Sequence, residues 1–139
     1  MRPYSNVVNL LRDAQLRPTR QRLGLAKLLF DGPCRHVTAE ALHAEAEGAN
    51  LRMSLATVYN TLHQFHESGL LRKVSVDGQR TYFDTNLTDH HHYYFEGSGR
   101  LADIPGDAIS WAKLPECPEG VEIAQVEVIV RVREKPQAV

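Results

Sequence analysis

Cysteine is nearly missing from this chain: Cys34 and Cys117 are the only two in 139 residues. That is too few, and too widely spaced, for a disulfide framework or an all-cysteine zinc site. Long apolar runs are missing as well, so no membrane-spanning helix is expected. Arg2 follows Met1 and the chain soon reaches Asn and Arg, so no secretory leader is expected either, and the compartment this implies is a reducing cytoplasm. Proline is modest at seven, and 42% of residues are apolar against 24% charged, which excludes a fibrous or disordered chain. The length suits one domain or two very small ones. Excess positive charge is missing too: the formal net charge is -1 with seven histidines neutral, which taken alone speaks against a nucleic-acid binder.

The average conceals a division. Residues 1–84 hold eleven Lys+Arg against eight Asp+Glu, while residues 85–139 hold five against nine. The first thirty residues carry Arg2, Arg12, Arg17, Arg20, Arg22 and Lys27 against Asp13 alone. A basic half is followed by an acidic one.

Periodicity predicts four helices in the basic half. The first covers Asn6 to Ala14, with Val7, Leu10 and Leu11 on one face. Thr19 caps a second, with Leu23, Ala26, Leu29 and Phe30 inward, that stops near Asp31-Gly32-Pro33. Thr38 caps a third, with Ala41, Leu42 and Ala46 inward. Ser54 caps a fourth, where Leu55, Val58, Leu62 and Phe65 form the apolar stripe until Ser68-Gly69. Leu71 to Val76 and Gln79 to Phe83, on either side of Asp77-Gly78, read as a hairpin. Helices followed by a hairpin is the winged helix-turn-helix order.

The apolar-poor stretch 85–89 reads as a hinge between a DNA-binding domain, 1–84, and a small α/β domain, 90–139. In the latter, His92 to Phe95 and Leu101 to Ile104 are expected strands, Gly106 to Leu114 a short helix, and residues 121–133 a long strand with Val126, Val128, Val130 and Val132 on one face. So long an apolar side in about 50 residues is too large to cover with its own chain, and homodimerisation is the expected remedy.

The exposed face of the fourth helix suits base contact. Tyr59 can press on thymine methyls, Asn60 can meet a base edge, and Ser54 and Thr57 can bond to phosphates near the helix start. Arg17 is placed to enter a narrow A·T-rich minor groove, with Arg20 and Arg22 on the backbone. Helix face, wing and basic N-terminus together outweigh the neutral average.

The segments Arg35-His-Val-Thr-Ala-Glu40, Ser54-Leu-Ala-Thr-Val-Tyr-Asn-Thr-Leu62 and His90-His-His92, in that order and spacing, resemble the ferric uptake regulator superfamily from about Leu10 to Arg133. With Asp89-His-His-His-Tyr-Tyr and Asp103-Ile-Pro, they are most similar to its iron response regulator branch. The resemblance implies an α+β chain, a homodimeric transcription factor with an N-terminal winged helix and a C-terminal α/β dimerisation domain, binding palindromic A·T-rich double-stranded DNA. It implies a hinge site for Fe²⁺ or Mn²⁺ on His36, Asp84, His90, His92 and Asp103. Imidazole nitrogens mixed with carboxylate oxygens suit such ions. His90 and His92 at period 2 point to one side of a strand and His91 to the other.

Other features widen the range of functions. The four-cysteine structural zinc of most relatives is excluded by ligand count. The superfamily's second metal site maps onto Asp89, His91, Ser110 and Val126, two of which ligate poorly. Cys117-Pro118 has the form of a haem-regulatory motif, and Cys117 and His91 are the candidate haem ligands. A peroxide sensor that oxidises one of its own histidines would use the same His/Asp set. A zinc metalloenzyme, with Glu96 as base, is the remote alternative to a non-catalytic regulator.

Overall fold

The computed structural model describes residues 4–137 other than residue 79. Arg2 and Gln79, used above for charge and for the hairpin, lie outside the described residues. Contacts divide the chain between Leu87 and Thr88 into two units.

In the first unit, α1 covers Tyr4–Asp13 and α2 covers Arg20–Phe30. The two-residue strand β1, His36–Val37, leads into α3, Ala39–Gly48, and α4, Leu55–Glu67. The caps form as their residue types dictate: Thr19, Thr38 and Ser54 each stand in extended backbone, and their side chains accept from the N–H groups of Arg22, Ala41 and Thr57. Gly69, with φ at +83°, turns the chain out of α4 where a side chain would be strained. Strands β2, Arg72–Ser75, and β3, Thr81–Asp84, form the wing. The Asp77 carboxylate accepts from the Arg80 N–H in the turn at 3.2 Å.

The wing gains a third strand that was not anticipated. β1 pairs antiparallel with β3, giving the order β1-β3-β2, with His36 opposite Asp84. The core beneath gathers Val7 and Leu11 from α1, Leu25, Ala26 and Leu29 from α2, Leu42 and Ala46 from α3, and Val58, Leu62 and Phe65 from α4. Two expected core positions are corrected. Leu55 is 41% exposed on the first turn of α4, and Ala41 is exposed.

In the second unit, β4, His90–Phe95, and β5, Arg100–Pro105, form an antiparallel hairpin, and β6, Ile129–Val132, joins β4 in parallel. The expected helix from Gly106 to Leu114 shrinks to a single 3-10 turn, Gly106–Ala108. So short a segment between Pro105 and Pro115 cannot offset helix nucleation unless its apolar side chains are buried, and Trp111 and Leu114 are 45% and 38% exposed. The expected strand 121–133 is likewise confined to Ile129–Val132, since residues 121–128 have no ladder partner among the described residues. The valine face there stays open, with Val126 at 36% exposure. The buried set is small: Tyr94, Leu101 and Ile104, with three histidines.

Candidate metal centre and nucleic-acid interface

Metal-type side chains occur in both units. In the first, the β1–β3 register sets His36 opposite Asp84, with Nε2 at 3.3 Å from Oδ2. Asp84 is 1% exposed, and its Oδ1 accepts from the Asn86 N–H at 2.8 Å, which fixes the carboxylate plane. The surrounding backbone is tied down: the Arg35 N–H donates to Thr85 Oγ1 at 2.9 Å, and the Thr85 N–H donates to the Arg35 carbonyl at 3.0 Å. The Arg35 guanidinium forms a two-pronged pair with Glu45 of α3. Hydrogen bonding to Glu45 raises the Arg35 pKa against the opposing effect of burial, so the cation is fixed.

In the second unit, the pleat of β4 puts His90 and His92 on one face, as expected from period 2. Their ring centroids are 4.5 Å apart. Asp103, directly across the ladder from His92, brings Oδ1 to 3.3 Å from His90 Nε2 and 3.6 Å from His92 Nε2. The other nitrogens of the two rings have different surroundings. His90 Nδ1 faces the Thr88 carbonyl at 2.5 Å, which can only accept, and His92 Nδ1 faces Glu127 Oε1 at 3.3 Å. The Thr88 carbonyl therefore keeps the His90 proton on Nδ1 and leaves Nε2 as a lone-pair donor toward Asp103, whereas both nitrogens of His92 stand beside a carboxylate. A cation between these imidazoles and the Asp103 carboxylate, either a proton or a metal ion, would satisfy all three groups. Two imidazole nitrogens and a carboxylate oxygen this close together are donors that suit a divalent transition ion.

Gly106 secures the entry to β4. A Cβ there would lie 2.9 Å from the Asp89 carbonyl oxygen, so only glycine lets the two backbones approach.

The remaining candidate ligands are placed differently. His91 is buried on the opposite face, where its Nδ1 accepts from the Val128 N–H at 3.0 Å and its ring meets Trp111 edge-on at 5.8 Å. Cys117 is exposed on irregular chain. Glu96, the base of the enzymatic alternative, stands on the surface 3.5 Å from Arg131 Nε.

In the first unit, α4 presents Tyr59, 44% exposed, and Asn60, also exposed. Ser54 Oγ meets Thr57 Oγ1 at 3.0 Å beside the helix start. Tyr59 rests edge-on against His63 at 4.5 Å, and His63 stands against Phe83 of the wing at 5.5 Å, so the tyrosine is braced by a row of rings. Arg17 and Arg20 are exposed. Arg22, expected on phosphate, is turned inward: Nε and Nη2 donate to Gln64 Oε1 at 3.2 and 3.0 Å, and Nη1 donates to the Arg17 carbonyl at 2.9 Å.

A sequence profile described as the Ferric uptake regulator family matches residues 13–131. The chain belongs to the ferric uptake regulator family. Relatives in this family include the peroxide operon regulator of Bacillus subtilis, 34% identical over 68% of this chain and 64% of its own length. The ferric uptake regulation protein of Vibrio cholerae is 34% identical over 71% of this chain and 67% of its own. These matches span about two thirds of the relatives' length. Among solved structures, the ferric uptake regulator from Pseudomonas aeruginosa with manganese covers 94% of this chain and 98% of its own, with 25% identity and a TM-score of 0.71. As in the ferric uptake regulator fold, a helical unit with a wing is followed by a smaller unit, here a three-stranded sheet with one 3-10 turn among the described residues.

Proposed function

We propose that the protein is a metal-responsive, DNA-binding transcription regulator of iron homeostasis. In this reading it acts as a homodimer in which one Fe²⁺ or Mn²⁺ ion, held by His36, Asp84, His90, His92 and Asp103, sets operator affinity. The observation that carries the reading is the convergence of His90 Nε2 and His92 Nε2 on Asp103 Oδ1, a set of nitrogen and oxygen donors suited to a divalent ion. The family supports it, with an iron-uptake regulator and a manganese-bound structure among the matches. One ion drawing ligands from both units would fix the angle between them, and thereby the spacing of two recognition helices in a dimer. The apolar side chains left open in the second unit, Val121 at 61% and Ile123 at 44% exposure, suit burial against a second copy.

Under this reading Tyr59 and Asn60 read base edges, Ser54 and Thr57 meet phosphate at the helix start, and Arg17 and Arg20 supply charge to the minor groove and backbone. Arg22 keeps α2 and α4 in register. Footprinting on an A·T-rich palindrome, with and without Mn²⁺, tests this. Metal-dependent protection is expected, and no protection in either state refutes it.

The Bacillus subtilis relative favours a second reading, peroxide sensing, through oxidation of a histidine beside bound Fe²⁺. A one-oxygen gain on His36, His90 or His92 after Fe²⁺ and peroxide, read by mass spectrometry, distinguishes it from iron sensing. Haem on His91 and Cys117 is less favoured. Nδ1 of His91 is already an acceptor, so its Nε2 keeps the proton and that bond must break before the ring can ligate iron.

A further inference from the structure

Glu127 was expected only as a residue on the strand face opposite Val126 and Val128. Instead its carboxylate oxygen stands 3.3 Å from Nδ1 of His92, a ring that is 2% exposed and whose buried Nδ1 makes no hydrogen bond among the described residues, so Glu127 is the acceptor within reach of it. We propose that Glu127 is a positioning residue for the metal centre. It holds the proton of His92 on Nδ1 and so presents Nε2, unprotonated and correctly aimed, on the side of Asp103. The inference rests on the reading of His92 as a ligand.

The backbone beside Glu127 is built to deliver it. Peptide groups on either side of Val128 are pinned to β4: the Val128 N–H donates to His91 Nδ1 at 3.0 Å, and the Val128 carbonyl accepts from the His92 N–H at 3.1 Å. One residue further on, Ile129 is the ladder partner of His92. With the chain fixed on both sides of Val128, the Glu127 side chain reaches the buried ring from the segment leading into β6. His91 thus has a role without ligating anything: it latches the backbone that carries Glu127.

A direct ligand role for Glu127 fits less well. Its oxygen faces Nδ1, whereas the donors of Asp103 and His90 face Nε2. A carboxylate on the far nitrogen of a ligating imidazole fixes the tautomer and raises the basicity of the donor, and losing such a partner costs about 10–100-fold in metal affinity. A mere surface ion pair would cost far less, because one partner would be free to leave and be solvated.

The test uses the full-length protein, as wild type, Glu127→Ala and Glu127→Gln. Calorimetric titration with Mn²⁺ is expected to show a loss of about 10–100-fold in Glu127→Ala. Glu127→Gln, whose amide oxygen still accepts from Nδ1–H, should stay near wild type. In parallel, ¹⁵N NMR of the metal-free proteins near pH ~8, above the ordinary imidazole range, reads the His92 tautomer. It should be Nδ1–H in wild type and Glu127→Gln, and mixed in Glu127→Ala. Unchanged affinity and tautomer in Glu127→Ala overturn the inference while leaving the metal reading intact. A Glu127→Gln variant as weak as Glu127→Ala also overturns it, since the carboxylate would then be bound to the ion itself. A wild type that takes up no Mn²⁺ overturns the metal reading and this inference with it.

Discussion

Arg22 on α2 and Gln64 on α4 are joined by two N–H groups converging on one amide oxygen, at 3.2 and 3.0 Å. An arginine that basic composition would assign to phosphate is thereby spent on aligning two helices. Arg22→Ala is expected to lower unfolding free energy by about 1.5–3 kcal/mol, the range for bonds to charged groups. It should leave the salt slope of operator binding nearly unchanged. Arg20→Ala should do the reverse, reducing that slope by about 1 with little effect on stability. Denaturant melts and DNA titrations across salt concentrations check both.

Tyr59 and Asn60 stand exposed on α4, with Tyr59 braced through His63 to Phe83. Asn60→Ala is expected to cost about 1–3 kcal/mol of operator affinity and to relax base preference at one position. His63→Ala should weaken binding without touching DNA, by releasing the tyrosine ring. Competition against operators substituted one base pair at a time separates the two effects.

Asp103 is the anionic partner shared by the Nε2 atoms of His90 and His92. Asp103→Asn should weaken Mn²⁺ uptake sharply, because an amide cannot offset the charge of a dication. His90→Ala should do the same by removing a donor. Both should retain weak, metal-independent DNA binding, since α4 is untouched. Loss of that residual binding in both variants would argue that the ligands serve folding instead.

Gly106 faces the carbonyl oxygen of Asp89 at a separation that a methyl group cannot share. Gly106→Ala is expected to destabilise the second unit by about 1–3 kcal/mol through overpacking against backbone. Because Asp89 immediately precedes His90, the same substitution should shift the donor and lower Mn²⁺ affinity. Thermal melts with and without Mn²⁺ reveal both, as a lower Tm and a smaller metal-induced rise.

Legibility in the sequence followed the range of the interaction. The helix caps Thr19, Thr38 and Ser54 were readable because capping is decided within three residues. The shared face of His90 and His92 was readable because strand parity is local. What escaped were features decided by a distant neighbour. β1 is two residues long, too short to show a period, and exists only because β3 lies alongside. The long strand expected over 121–133 had the right alternation, but β4 offers ladder partners only to Ile129–Val132. Leu55 satisfied the helical period yet lies 41% exposed, since a period selects a face and cannot supply the surface that covers it. Arg22 and Glu127 reveal their direction only when the chain segments they reach are in place.

Trp111, the single tryptophan, stands edge-on to His91, the ring between the two strand histidines that face Asp103. The indole is 45% exposed, at a boundary between ring and water where emission responds to small displacements. Any event that tightens or slackens β4 must therefore pass one residue's width from the protein's only strong fluorophore. The molecule carries its own optical gauge, read without label or DNA.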